Sequence, residues 1–178
     1  MGFHDFVKIE ESTAIELYKS TVEAFPRTGK RQNSTDMIRI AEMGWIPFVG
    51  MKTLYVKGLA KNMGNQNEYR ASVLFKGVKY LESKSRTSVE LVASDANKYL
   101  LERISLWSSE ILVRCECPDF NWRFNFYDHV DKSLYGRKRR KYESKGIGRV
   151  ANASKSEGMC KHLITLIRAI GDSKIMEV

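Results

Sequence analysis

The chain has 178 residues, 43% hydrophobic and 29% charged, with a net charge of +9. These are the proportions of a soluble globular protein with one core, or a core plus a small module, and no apolar run approaches the ~20 residues of a membrane-spanning helix. The charge favours acidic partners such as nucleic acid, and only three cysteines fit a reducing compartment.

Met1 to Phe6 lack a basic stretch followed by an apolar run, so no secretory leader is expected, and Phe6 stands where myristoylation would want Ser or Thr. Residues 12–25 read as an amphipathic helix. Thr13 and Glu16 have capping-box spacing, Ala14, Leu17, Tyr18, Val22 and Phe25 form the apolar stripe, and Pro26 ends it. In the following loop, Lys30 and Arg31 are either solvated or phosphate contacts.

Strands are expected from position 37 onward. Met37–Ala41 is short, and Gly44–Gly50 reads as a connection whose Trp45 and Phe48 are either core or an exposed docking knob. Lys52–Leu59 and Tyr69–Phe75 alternate on either side of the turn-rich residues 62–67, which predicts an antiparallel pair. Val78–Leu81 extends or returns it, and Val89 and Leu91 begin another strand after a polar loop. Residues 95–103 are ambiguous, with Asp95 placed to cap a short helix carrying Tyr99, Leu100 and Ile104.

Glu110–Glu116 reads as a strand that turns Cys115 and Cys117 to one face. The third cysteine, Cys160, stands two residues before His162, where Leu163, Leu166, Ile167 and Ile170 begin a helix that Gly171 is placed to end. Three thiolates and one imidazole are a full tetrahedral set for structural zinc. Zinc with three thiolates carries −1, which Arg114 and Lys161 are placed to offset. A disulfide is the weaker alternative, because three cysteines leave one unpaired.

The insert between the ligand pairs has two features. Phe120, Trp122, Phe124 and Phe126 alternate as in a strand, while Phe120, Phe124 and Tyr127 also suit a helix; the group either stacks bases beside Arg123 or packs round the metal. Arg137, Lys138, Arg139, Arg140 and Lys141 then form a basic run, extended by Lys145 and Arg149. Twelve basic and six acidic residues lie between Arg114 and His162, so most of the net charge sits there. This run is expected to order only against an acidic partner, either DNA or a protein surface.

The C-x-C…C-x-H pattern of Cys115, Cys117, Cys160 and His162 resembles the SWIM-type zinc finger, with a longer insert than is usual there. That resemblance implies a zinc site and a DNA or protein partner. Lys30-Arg31-Gln32, Trp45-Ile46-Pro47-Phe48, residues 52–58, Cys117-Pro118-Asp119-Phe120 and Cys160-Lys161-His162 together resemble small zinc-binding virion proteins of tailed bacteriophages. This second resemblance implies a head–tail connector, neck or tail component, close to packaged DNA. It would sit among other virion proteins in a homo- or hetero-oligomeric assembly built in the host cytoplasm.

The fold class expected is α+β: an N-terminal helix and antiparallel strands in a core of residues 1–109, then a zinc module at 110–178 ending in a helix. No phosphate loop, nucleophile motif or carboxylate pair stands out, so neither an enzyme nor a small-molecule substrate is expected. The alternative to a virion component is a soluble, cytoplasmic nucleic-acid binder. Loss of the metal is expected to unfold the C-terminal module and spare the helix at 12–25.

Overall fold

A computed structural model of the chain describes residues 12–26, 37–143, 151–173 and 175–177. The capping box sets the start of the first helix, α1 (Ala14–Ala24). Thr13 Oγ1 accepts from the Glu16 N–H at 3.3 Å, and Glu16 Oε2 accepts from the Thr13 N–H at 2.9 Å. Ala14, Leu17 and Thr21 form its buried side. Lys30 and Arg31 lie outside the described residues.

The first strand, β1 (Ile38–Phe48), is longer than the short strand expected, and it absorbs most of the supposed connection at 44–50. Trp45 pairs with Val56, Ile46 with Tyr55 and Phe48 with Thr53 across β2 (Thr53–Asn62). Pro47 reads as a breaker but is tolerated because β1 is an edge strand, where a missing donor is harmless. Only a single 3₁₀ turn, Val49–Met51, and its capping residue Lys52 separate the two strands. Trp45 is buried, whereas Phe48 is exposed beside that turn.

The hairpin of β2 with β3 (Glu68–Phe75) is the one that alternation predicts, with Leu54 opposite Phe75 and Val56 opposite Val73. Three short strands, β4 (Tyr80–Leu81), β5 (Ser88–Val92) and β6 (Lys98–Glu102), form a second sheet in the order β4-β6-β5. The short helix considered at 95–103 is therefore β6. Asp95 caps no helix: its Oδ1 accepts from the Asn97 N–H at 3.0 Å, an Asx turn that reverses the chain into a hairpin.

Next come β7 (Ile104–Ser105) and β8 (Ile111–Cys115). β8 completes the main antiparallel sheet in the order β1-β2-β3-β8. Two short helices follow, α2 (Pro118–Arg123) and α3 (Asn125–Asp131), in place of the strand that the aromatic alternation also allowed. Phe120 and Phe124, one helical turn apart, are buried, and Trp122 between them is exposed. α4 (Lys161–Asp172) runs past Gly171, and β9 (Met176–Glu177) pairs in parallel with β7.

The architecture is α+β. α4 packs across β1, β2, β3 and β8 through Leu163, Leu166, Ile167 and Ile170. Gly58 permits this approach, because a Cβ there would lie 2.6 Å from Leu166 Cδ1. A single hydrophobic cluster joins residues on both sides of position 110, from Leu17, Val73 and Phe75 to Ile111, Phe120 and Leu163. No described helix is long and apolar enough to cross a membrane.

Candidate metal centre

Strand alternation delivers the first ligand. Ile111, Val113 and Cys115 point into the core from β8, and Cys115 lies opposite Ala71 of β3. Cys117 comes after the strand has ended and is the N-cap of α2, where its Sγ accepts from the Phe120 N–H at 3.3 Å. Pro118 at the first helical position fixes that turn. Cys160 is the N-cap of α4, and His162 is the second residue of that helix.

Strand, helix start and helix start thus converge. One ligand atom from each of Cys115, Cys117, Cys160 and His162 lies within 4.8 Å of all the others, and all four residues are buried. Cys160 Sγ is 3.9 Å from His162 Nδ1. A tetrahedral ion with sulfur ligands at ~2.3 Å would space its donors about 3.8 Å apart. The cysteines are unbridged. His162 Nε2 is buried with no hydrogen-bond partner among the described residues, and the ring packs on Tyr69 at 4.9 Å between centroids. A buried imidazole whose Nδ1 stands at ligand spacing from Cys160 Sγ, in a cluster with two further sulfurs, is a donor set that a metal ion would complete.

The protonation tendencies agree. Hydrogen bonds from the Cys115 and Cys160 thiols hold the Cys117 thiol far below its ordinary value, with His162 and the Phe120 N–H adding to this. Burial pushes Cys115 and Cys160 up, and the charge at Cys117 pushes them further. Without an ion, the pocket supports thiolate at Cys117 and disfavours it at its two neighbours. A cation would remove that conflict.

Polar side chains invisible in the ligand pattern hold the approach to Cys160. Thr21 Oγ1 accepts from the Met159 N–H at 2.7 Å, and Asp128 Oδ1 accepts from the Gly158 N–H at 2.8 Å. Gly158 is required by space: a Cβ there would sit 2.8 Å from Phe124 Cε1. Asn152 Nδ2 donates to the Arg123 and Ser156 carbonyls at 2.9 and 2.7 Å, closing the turn beside α2. Buried polar residues at scattered positions carry no spacing signal, so the sequence pattern does not disclose Thr21, Asp128 and Asn152.

Arg114 does not offset the charge of the site. It alternates with Cys115 along β8, so its guanidinium lies on the opposite face and donates to the Tyr135 and Arg137 carbonyls at 2.9 and 3.1 Å. Lys161 does border the cleft beside Cys117 and His162. Asp119 pairs with Arg123 at 3.2 Å.

The basic run is also placed differently from the expectation. Its first part rests on its own chain rather than waiting for a partner. The Arg139 N–H donates to Asn125 Oδ1 at 2.6 Å, and Tyr142 stacks on Trp122 with centroids 5.5 Å apart at 28°. Arg137, Lys138, Arg139, Arg140 and Lys141 are all exposed along this extended strip. Lys145 and Arg149 lie outside the described residues. Comparison with protein-family models, curated proteins and solved structures finds no match.

Proposed function

We propose that the chain is a non-enzymatic protein built on one structural zinc ion held by Cys115, Cys117, Cys160 and His162. The observation that carries this reading is the buried convergence of four ligand atoms within 4.8 Å. Soft thiolates with one imidazole suit zinc, and four protein ligands leave no position open for a reacting water. Metal analysis of the purified protein should return one equivalent of zinc per chain. Less than half an equivalent, or a disulfide among the three cysteines, would overturn the reading.

We further propose the setting that the second sequence resemblance implies, a virion component of a tailed bacteriophage in the head–tail connector, neck or tail. The support is the resemblance itself, together with a basic strip suited to packaged DNA or an acidic neighbour. Mass spectrometry of washed particles should find the chain; its absence would remove this setting.

A second reading, a soluble nucleic-acid-binding module, is favoured by one observation: the exposed cations of 137–141 run beside the Trp122–Tyr142 stack. Such a binder loses affinity steeply with salt, following the phosphates it neutralises. Salt-independent binding would count against it.

A further inference from the structure

Trp122 stands between two surface features. On one side is the basic strip, where Trp122 lines a shallow groove with Arg139, Arg140 and Lys141. On the other is a cleft of about 780 Å³ bordered by the β2–β3 turn, α2 and the start of α4. Asn65 and Asn67 face Trp122, Asp119 and His162 around this cleft. We propose that the cleft and strip together bind single-stranded nucleic acid, with phosphates on the strip and a base in the cleft against Trp122. This inference rests on the nucleic-acid reading and adds to it the strand state and the place of the base.

The division of roles follows from charge. In the cleft wall Asp119 and the thiolate ligand Cys117 stand beside Arg123 and Lys161, so its charges nearly cancel and a phosphate gains less there than on the strip. A base is neutral and loses little there. The cleft is ample for one nucleoside, within the ~300–1,000 Å³ of ordinary ligand pockets. The strip supplies five exposed cations and no carboxylate before Glu143, so phosphates are favoured there.

The aromatic platform is prepared in advance. Tyr142 stacks on Trp122, yet Trp122 remains 54% exposed. Arg139 and Asn125 fix the strip at the distance this stack requires. Base stacking on such a platform is tolerant of sequence, because every base has a π-face. A duplex keeps its bases stacked inside and could use only the strip.

The test uses the zinc-loaded full chain with a fluorescein-labelled oligo-dT and a duplex of equal length. The single strand should bind more tightly and quench the Trp122 contribution to emission. Trp122→Ala should weaken single-strand binding by about 5- to 150-fold, the range for loss of one stacked base, and weaken duplex binding, which feels only the disturbed seat of the strip, by a smaller factor. Trp122→Phe should retain most of the affinity. If Trp122→Ala lowers its zinc content or unfolds, the quench in the unmodified protein decides instead. Equal affinity for both probes, or an equal loss for both on Trp122→Ala, would overturn the cleft assignment and leave the nucleic-acid reading standing. Binding to neither probe would overturn both.

Discussion

Asp128 is wholly buried, and only its Oδ1 has a hydrogen-bond donor, the Gly158 N–H. Its Oδ2 has no partner among the described residues. Burial raises its pKa well above the ordinary carboxylate value; the Gly158 N–H opposes this, and Asp131 and Glu157 add to the rise. The folded state therefore holds this proton more tightly than the unfolded chain. Such a group contributes stability that is full at low pH and is lost as pH rises from the unfolded value of about 3.9 towards the folded one. Asp128→Asn keeps an acceptor for Gly158 and removes the titration. Across a pH series, the wild type should lose ground to this variant as pH rises, by at most about 1.4 kcal/mol per pH unit. A pH-independent difference in denaturation midpoints would rule this out. Gly158→Ala should destabilise by about 1–3 kcal/mol through the clash with Thr21 and Phe124, readable in the same melts, and an unchanged midpoint would contradict it.

At the scale of elements, the ligand cluster sits where pieces that hold each other poorly meet, so an ion bound there would join them. α2 and α3 are short, and isolated helices of such length do not persist in water. The free energy of structural zinc, about 10–16 kcal/mol in zinc-finger peptides, exceeds what such helices gain by packing. Chelation, or Cys160→Ser, should therefore abolish hydrogen-exchange protection in α2, α3 and the first turn of α4. α1 should loosen with them, contrary to what the sequence implies. Thr21 is bonded to Met159, Ser20 to Glu157, and Phe25 packs edge-on against Phe124 at 5.7 Å. The β1–β2–β3 ladder, far from the ligands along most of its length, should keep its protection. Protection of α1 surviving chelation would refute this coupling.

The elements differ in how far the sequence discloses them, for physical reasons. Thr13 with Glu16, and the alternation through β2 and β3, are local signals with few competitors. The ligand set is equally legible, since Cys115, Cys117, Cys160 and His162 have chemistry that tertiary packing need not explain. β1 is hidden because Gly44 and Pro47 punctuate it, and only its position at a sheet edge makes Pro47 harmless. α2 and α3 are hidden because Phe120, Trp122, Phe124 and Phe126 alternate while burial selects Phe120 and Phe124. The seat of the basic strip depends on Asn125 and Trp122, contacts that no periodicity announces.

Across the whole molecule, the basic strip and the ligand cluster lie on two faces of one strand. Cys115 faces the ligand cluster, and its neighbour Arg114 anchors the carbonyls at the head of the strip. Replacing Arg137, Lys138, Arg139, Arg140 and Lys141 with neutral residues should leave zinc content and melting within error, because the strip is held by backbone and by Tyr142. Incorporation into particles or affinity for polyanions should fall. Normal assembly together with undiminished polyanion affinity would reduce the strip to a solvated surface.

The strip lies inside the loop that the ligands close, between Cys117 and Cys160. A metal bridging those residues would close that stretch into a ring, and would still link the two pieces after a peptide bond within it was cut. Trypsin, which cuts after lysine and arginine, would meet five successive sites from Arg137 to Lys141 on an exposed, extended segment. A chain nicked there would separate into two fragments on a denaturing gel yet migrate as one species under native conditions. α4 would stay seated on the sheet through Leu163, Leu166, Ile167 and Ile170, and a chelator would loosen the junction between the two halves only at its first turn.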